Sequence, residues 1–365
     1  MSNLMDANKQ WSTRPAEERF LSLPDMQRML QLSRENSRAG VVPSRRLEVI
    51  PAADNRGLVV TGPNGHAYAP THYAFGQLAS LVGAPAGYLR DLPAPMAADC
   101  LNYGLQYARD VEDVGVLISR EPGAPEGLLR AATGPRYGRV WNSDVVRALM
   151  DKFGDGLTGD FRVPGEFGRA VEVTEKNTTL FASDRDMFVF LADEVNRIEI
   201  PNRRNGAPGQ LARGFFVSNS EVGAGALKVR TFLFDYACAN RIVWGAEHVQ
   251  DISIRHTASA PDRFIEQVQP ALIAYANSAA GGIESALREA QKARLDNVDD
   301  WLSKRYGPKR ATAFQHAHML EEGRPIESIW DTMTAITAHA KTIAYTADRV
   351  EVEAEAGALL KLVAA

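Results

Sequence analysis

The spacing of apolar and polar residues changes twice along the chain, and each change marks a different kind of predicted structure. Before residue 46, apolar side chains such as Met26, Met29 and Leu30 recur at the spacing of one helix face. From Arg46 to His256, short apolar runs alternate with turns rich in Gly, Pro and Asn, which is typical of β-strands joined by loops. After His256 the helical spacing returns and alanine becomes frequent.

These patterns predict an α+β protein with three parts. We expect a helical arm in residues 1–45, an α+β core domain in residues 46–256 and a helical C-terminal domain in residues 257–365. Hairpin-like strand pairs dominate the core, so we expect a mixed, mainly antiparallel sheet with capping helices. A length of 365 residues exceeds one ordinary hydrophobic core, which also favours more than one domain.

A polar turn between two β-prone arms is the clearest hairpin in the chain. The arms are residues 214–217 and 227–236. Glycine reaches backbone angles closed to other residues, and Ser and Asn side chains can hydrogen-bond to neighbouring backbone groups. The structural residues predicted for the turn are Asn219, Glu221, Gly223 and Gly225. Whether Ser218, Asn219 and Glu221 also form a functional site stays open at this point.

A first cluster of cationic and aromatic residues precedes a predicted helix that begins at Asn142 or Ser143. It contains Arg136, Tyr137, Arg139 and Trp141. Such side chains on a loop at a helix N-terminus suit contacts with phosphates and stacked bases. The alternative is that the two aromatic residues belong to the core and that the arginines are solvated or paired.

The most basic loop of the chain leads into the hairpin. It runs from residue 197 to residue 213 and carries Arg197, Arg203, Arg204 and Arg213 against one glutamate. Arginines in such a loop can follow the backbone of a nucleic acid. A basic stretch is also commonly no more than a solvated face. On the nucleic-acid interpretation, the hairpin is the rigid support of this loop.

Charge and cysteine content restrict the classes of function. A net charge of −4 and a pI near 6.0 argue against a broadly basic surface but permit a local basic groove. Cys100 and Cys238 lie far apart and predict neither a disulfide framework nor a zinc site, which fits a reducing compartment. No apolar run is long enough for a membrane span, and the first residues lack the apolar core of a signal peptide. We therefore expect a cytoplasmic protein with no membrane partner.

Catalytic motifs are hard to find in this sequence. It contains no Walker loop, no dinucleotide-binding glycine pattern after a strand and no metalloprotease helix motif. Asp184 and Asp186 could hold a divalent cation, but Arg185 between them and their position in a turn favour a structural loop. We assign no catalytic residue, no cofactor and no metal site, and expect a binding protein rather than an enzyme.

Several short motifs, taken in order, carry a resemblance to a known family. They are Trp11, Arg14-Pro15, Glu18-Arg19-Phe20, residues 75–89, Arg136-Tyr137, residues 216–225 (FVSNSEVGAG), Cys238-Ala239-Asn240, residues 337–344 and residues 355–360. With them the chain resembles the phage/plasmid-like proteins grouped as domain of unknown function 932. It departs from them at Arg241, where such proteins often have glycine. The resemblance implies an association with phages, prophages or plasmids in a bacterial host, and it brings no assigned activity.

Three hypotheses of function follow. The first is a nucleic-acid-binding protein whose partner is single-stranded DNA and which could anneal strands in recombination or replication. The second is an assembly or host-interaction protein that forms homo-oligomers through its helical C-terminal domain. The third is a metal-dependent nucleic-acid-processing enzyme that uses Asp184, Asp186 and Glu221. Convergence of Arg136, Arg139, Arg203, Arg204 and Arg213 on one concave face would favour the first.

Overall fold

The fold is α+β, as predicted, with two mainly antiparallel sheets and a helical C-terminal part. In the computed structural model, the structure describes residues 16–55, 57–63, 65–107, 112–124, 126–164, 172–176, 178–201, 208–235, 240–243, 252–277, 281–343 and 346–363. The strands are β1 (Arg19–Phe20), β2 (Ser37–Pro43), β3 (Glu48–Pro51), β4 (Leu58–Thr61), β5 (Ala67–Pro70), β6 (Asp113–Ser119), β7 (Gly127–Thr133), β8 (Phe161–Arg162), β9 (Leu180–Ala182), β10 (Met187–Asp193), β11 (Ile198–Ile200), β12 (Gly209–Asn219), β13 (Leu227–Asp235), β14 (Asn240–Val243) and β15 (Ile252–Ile254).

The helices lie between the strands in the first two thirds of the chain and follow one another in the last third. They are α1 (Leu23–Glu35), α2 (His72–Leu81), α3 (Ala86–Asp91), α4 (Ala94–Tyr107), α5 (Asn142–Phe153), α6 (Ala260–Arg263), α7 (Gln269–Asn277), α8 (Gly281–Lys292), α9 (Val298–Tyr306), α10 (Pro308–Glu322), α11 (Ile329–Ala340) and α12 (Thr346–Ala358). A π-helical turn, Phe264–Val268, joins α6 to α7.

The smaller sheet has the strand order β2-β6-β7-β5-β4-β3, and only its β5–β7 pair is parallel among the described residues. Helices α2 and α4 pack on it through buried side chains such as Leu78, Leu101 and Leu105. Helix α2 begins where it does because Thr71 caps it: the Thr71 hydroxyl accepts a hydrogen bond from the backbone N–H of Ala74 at 3.1 Å.

The larger sheet follows the path β1-β9-β10-β12-β13-β14, with β8, β11 and β15 paired beside it. Strand β10 is buried along its whole length, and its side chains alternate between two apolar clusters. Val189 and Leu191 face the helices, whereas Phe188 and Phe190 join a layer of phenylalanines on the other side. A strand covered on both faces has apolar residues at consecutive positions, and the sequence of β10 shows this continuous apolar run.

The segment expected to be a helical arm also contributes to both sheets. Within it, α1 forms as expected, while β1 pairs with β9 of the larger sheet and β2 pairs with β6 at the edge of the smaller one. Strand β2 was missed because most of its residues are exposed, so it shows no alternation of apolar and polar positions. Among the described residues, the chain thus passes first through the larger sheet, then builds the smaller sheet, and then returns.

The C-terminal helices surround α11, which is buried along almost all of its length. Ser328 caps this helix by accepting a hydrogen bond from the N–H of Asp331 at 3.1 Å. Trp330 and Phe314 lie in one apolar cluster with Ile198 and Leu211 of the larger sheet. The helical part therefore shares its core with the sheet.

Candidate functional site

The turn between β12 and β13 is buried where the two sheets meet. Asn219, Ser220 and Glu221 are 2%, 1% and 3% exposed. Gly223 has a φ of 90°, a backbone conformation that side chains disfavour, so glycine is required at this position. We call residues 219–224, with the side chains that bind them, the junction.

The carboxylate of Glu221 joins three elements in the junction. One oxygen accepts from a guanidinium nitrogen of Arg130 on β7 at 3.0 Å, and the other accepts from the N–H of Asn142, the first residue of α5, at 2.8 Å. Arg130 also donates to the hydroxyls of Ser33 at 3.3 Å and Ser37 at 3.1 Å. Because a helix N-terminus carries partial positive charge, Glu221 occupies the position that a bound anion would take there.

Four consecutive backbone carbonyls of the turn each accept a hydrogen bond from a distant side chain. Tyr137 donates to Ser220 O at 2.8 Å and Arg139 to Glu221 O at 2.9 Å. Gln77 donates to Val222 O at 2.7 Å and Tyr73 to Gly223 O at 2.9 Å. These bonds fasten the turn of the larger sheet to α2 of the smaller sheet and to the β7–α5 loop.

Burial keeps the two tyrosines protonated as hydrogen-bond donors. It raises the pKa of Tyr73 and of Tyr137 above the ordinary value, with nearby Arg185 and Arg139 respectively acting in the opposite direction. Asn219 completes the polar contacts by donating to Val140 O and to the side-chain oxygen of Asn142, both at 2.8 Å.

Cations and aromatic rings alternate in a row beside these hydrogen bonds. The guanidinium carbons of Arg34 and Arg139 lie 5.2 and 5.7 Å from the ring centre of Trp141. Arg139 also lies 5.4 Å from the ring centre of Tyr137, and that ring stacks on His256 with centres 4.9 Å apart. We call Arg34, Trp141, Arg139, Tyr137 and His256 the cation–aromatic row; all five are partly exposed.

Ionisation in the row follows from its partial burial. Desolvation lowers the pKa of His256, and the charge of Arg139 lowers it further, against the hydrogen bond between its Nδ1 and Gly138 O. The imidazole is therefore neutral at pH 7. Desolvation also lowers the pKa of the Arg139 guanidinium, opposed chiefly by Tyr137 and Glu221.

Two further arginines near the junction are exposed. Arg136 lies at the tip of a turn closed by a hydrogen bond from Tyr137 N to Gly134 O at 3.1 Å. Arg185 lies 5.4 Å above the ring of Tyr73, and its carbonyl accepts from the Ser220 hydroxyl at 2.6 Å. The first predicted cluster is thus brought together here: Arg136, Tyr137, Arg139 and Trp141 lie at the junction.

The second predicted cluster does not join it. Arg213 is 3% exposed, and its guanidinium forms a 2.8 Å ion pair with Asp193 between the rings of Phe161 and Tyr275. It is six residues from Asn219 along β12, which is roughly 20 Å on a strand. Because β12 is covered on both faces, this arginine is held by a partner inside the protein and does not reach the face of Arg136.

The remaining arginines of that cluster lie apart from the row or outside the described residues. Arg197 pairs with Glu194 at 2.6 Å and donates to Gln210 at 3.1 Å. Arg203 and Arg204 lie outside the described residues. Of the five arginines whose convergence would favour nucleic-acid binding, Arg136 and Arg139 therefore share the β7–α5 loop, Arg213 lies inside the protein, and Arg203 and Arg204 lie outside the described residues.

Of the three carboxylates considered for a metal site, Asp184 is exposed, and the other two have contacts within the protein. Glu221 is paired with Arg130, and Asp186 accepts a hydrogen bond from the hydroxyl of Ser183 at 3.2 Å. In the described ranges, no group of three or more His, Cys, Asp and Glu is placed to hold a metal ion. Those ranges also contain no helix with the length and apolarity needed to cross a membrane.

Several residues of the site were missed from the sequence. They are Arg34, Tyr73, Gln77, Arg130, Arg185 and His256. One of them had a readable signal: Arg130 interrupts the apolar run of β7, and a charged residue in a buried strand requires a partner. The others lie in polar or mixed segments, and only the fold brings them to the turn.

Comparison with known proteins gives one match. Residues 169–347 match the model of a family described as Domain of unknown function (DUF932). Neither the curated proteins nor the solved structures contain a match. The matched segment includes the junction turn and most of the C-terminal helices, but not the smaller sheet or the loop that carries Tyr137 and Arg139. The junction is therefore one of the places where the matched segment contacts the rest of the chain, together with the β1–β9 strand pair.

Proposed function

Because residues 169–347 belong to the family described as Domain of unknown function (DUF932), whose description names no activity, we propose a function from the junction: the protein binds single-stranded nucleic acid there. The observation that supports this proposal is the cation–aromatic row with exposed Arg136 and Arg185 beside it. Single-strand-binding surfaces combine arginines that meet phosphates with flat groups on which bases stack.

The row is organised before any ligand arrives. Arg139 is held between two rings and by its hydrogen bond to Glu221 O, so little side-chain entropy remains to be lost on binding. The carboxylates of Asp144 and Glu221 are already paired with Arg34 and Arg130. Arg136 and Arg185 are exposed and supply charge for phosphates.

We extend the proposal to a biological setting on the resemblance to phage/plasmid-like proteins. In that setting the protein acts in the bacterial cytoplasm, during recombination or replication of such an element, and DNA is the preferred strand. The net charge of −4 restricts binding to a local surface, so we expect moderate affinity and strong dependence on salt.

The test is fluorescence anisotropy with labelled single-stranded DNA, single-stranded RNA and duplex DNA over a series of salt concentrations. We expect single strands to bind best. The logarithm of the binding constant should fall with the logarithm of salt concentration with a slope of roughly −2, since each neutralised phosphate of a single strand contributes about −0.7 and the site offers about three arginines.

Two variants and a control connect binding to the junction. Arg136→Ala and Arg185→Ala should each weaken binding and reduce the salt slope by roughly 0.7. Arg288→Ala removes an exposed arginine from α8, outside the junction, and should leave both quantities unchanged. No binding at low salt, or an equal effect of Arg288→Ala, would contradict the proposal.

A second candidate function is assembly through the C-terminal helices. Met319 and Leu320 on α10 are 48% and 70% exposed, so this helix offers apolar surface that a second copy could cover. Substitution Leu320→Asp followed by measurement of molar mass in solution tests it. A loss of oligomers in that variant would favour this function.

A further inference from the structure

Helix α4 has a second apolar face that packs on nothing within the described chain. Its inner face is buried through residues that include Leu101 and Leu105. On its outer face Met96, Tyr103 and Tyr107 are 54%, 70% and 65% exposed, and Cys100 is exposed between them. Steps of four, three and four residues place these side chains in one stripe along the helix. The tyrosine rings already touch, with centres 5.1 Å apart.

We propose that this stripe is the contact between two copies of the chain, which pair their α4 helices antiparallel about a two-fold axis. A two-fold interface must be complementary to itself. The stripe meets that requirement because its positions are symmetric about the point midway between Cys100 and Tyr103. Antiparallel pairing then places Met96 of one copy against Tyr107 of the other, and Cys100 against Tyr103.

The chemistry of these pairs suits close packing. Each pair sets a sulfur atom against an aromatic ring, which is a favourable contact. The tyrosine hydroxyls can stay at the rim and keep their hydrogen bonds to water. The interface therefore covers apolar surface without burying an unpaired polar group.

Charge on the helix favours the antiparallel arrangement over a parallel one. Asp99 is the only charged residue in the sequence of α4. The two-fold axis sets Asp99 beside Gly104 of the other copy, whereas parallel pairing would bring the two Asp99 carboxylates to the same level. Antiparallel helices also have opposed dipoles, which parallel ones do not.

The size of the stripe sets the strength of association. A tyrosine can bury about 150–250 Å², so two tyrosines and a methionine at their observed exposures offer roughly 300–450 Å² per copy. Two copies bury roughly 600–900 Å² in total, below the ~1,600 Å² of a standard interface. The dimer should therefore dissociate on dilution.

Molar mass by light scattering, measured over a range of protein concentrations, tests the interface. We expect the full chain to shift from monomer to dimer as concentration rises. The double variant Tyr103→Asp, Tyr107→Asp should stay monomeric at every concentration and keep the wild-type melting temperature, because both side chains are exposed. The control is Ile265→Asp, which changes a side chain that is 59% exposed in the Phe264–Val268 turn, away from α4, and this variant should dimerise normally.

Disulfide cross-linking tests the direction of pairing. Two variants are prepared in the Cys100→Ser background, one with Met96→Cys and the other with Tyr107→Cys. Under mild oxidation we expect a covalent dimer when the two are mixed, and none beyond the Cys100→Ser control when either is oxidised alone. Cross-linking of either variant with itself would overturn the antiparallel geometry.

Other outcomes would overturn the proposal as a whole. A wild-type chain that stays monomeric at all concentrations removes the need for a second copy. A dimer that survives the double tyrosine variant, or that Ile265→Asp disrupts, places the contact elsewhere, and a dimer that Leu320→Asp disrupts places it on α10. These outcomes do not affect the proposal of nucleic-acid binding at the junction, which is measured separately by anisotropy.

Discussion

A single buried carboxylate determines how the junction is held. Glu221 pairs with Arg130, whose side chain is 8% exposed, and accepts the first N–H of α5. Each of these donors would be costly to leave unsatisfied in the interior. Arg130 and Glu221 are therefore necessary to each other, and removal of one leaves an uncompensated buried charge.

The substitution Glu221→Gln should show this cost. The amide oxygen can still accept from Asn142 N, but the Arg130 guanidinium loses its counter-charge. We expect the free energy of unfolding, measured with urea, to fall by about 3 kcal/mol. The control is Glu327→Gln, which breaks a glutamate–arginine pair at the surface with Arg294 and should cost less than about 1 kcal/mol. Equal losses in the two variants would contradict the role given to Glu221.

For single residues, the sequence predicts the local role of a side chain better than it predicts which residues that side chain contacts. The turn residues were recognisable from Ser, Asn and Gly chemistry, and Gly223 has the positive φ that such reasoning expects. Gly225 was predicted as a turn residue for the same reason, but a Cβ there would meet no atom within 4 Å, so space does not require glycine at this position. Arg213 was expected at the surface because the basic residues before it suggested a loop, yet the apolar neighbours of the strand place it inside.

Among the elements, the loop between β7 and α5 connects the most parts of the site. At Gly138 it touches the segment after β15: Gly138 N donates to His256 O at 3.2 Å, and His256 Nδ1 contacts Gly138 O at 3.0 Å. A Cβ on Gly138 would lie 1.8 Å from the carbonyl oxygen of Thr257. Glycine is required here by the close approach of two backbones.

Gly138→Ala should therefore force the two segments apart. We expect the free energy of unfolding to fall by about 3 kcal/mol, which is the upper end of the range for an overpacked site. We also expect weaker nucleic-acid binding, because Tyr137 would no longer stack on His256. Gly134 lies in the same loop, and a Cβ added there would meet no atom within 4 Å. Gly134→Ala should therefore leave the free energy of unfolding almost unchanged. Thermal unfolding and anisotropy of the two variants, compared side by side, check this expectation.

The predictability of elements depended on burial. Strand β10 occupies Met187–Asp193, where the sequence shows a continuous apolar run of the kind expected for a strand buried on both faces. Strand β2 was missed because exposure removes the pattern on which such predictions depend. Pairing between distant strands, such as β1 with β9, follows from no local pattern at all.

Over the whole molecule, the two sheets meet through polar contacts more than through a shared apolar core. The apolar cluster at the junction has only three fully buried members among the described residues: Leu117, Ala131 and Val222. Whether arginines from separate loops converge depends on this meeting of sheets, so the site as a whole could not be predicted from the sequence. Contacts of this kind also make stability sensitive to pH.

Acidification below neutral pH should weaken the fold partly through two histidines. Burial lowers the pKa of His256 and of His339 in the folded state. The unfolded chain therefore binds more protons below about pH 6.5, and the free energy of unfolding falls as pH drops from there towards the folded-state pKa values. His256→Gln should reduce this pH dependence relative to the wild-type protein. Urea titrations from pH 7.5 to pH 5 measure the difference, and equal slopes in both proteins would contradict it.

The return of the chain to the larger sheet has a consequence for synthesis on the ribosome. Phe20 and Thr178, which are hydrogen-bonded in the finished protein, are 158 residues apart. At ~5–20 residues per second, β1 leaves the ribosome roughly 10–30 s before its partner β9 exists. The smaller sheet is complete within that interval, so it can form first. Strand β1 is then among the last to find its place, and a chain interrupted before residue 180 leaves it with no partner.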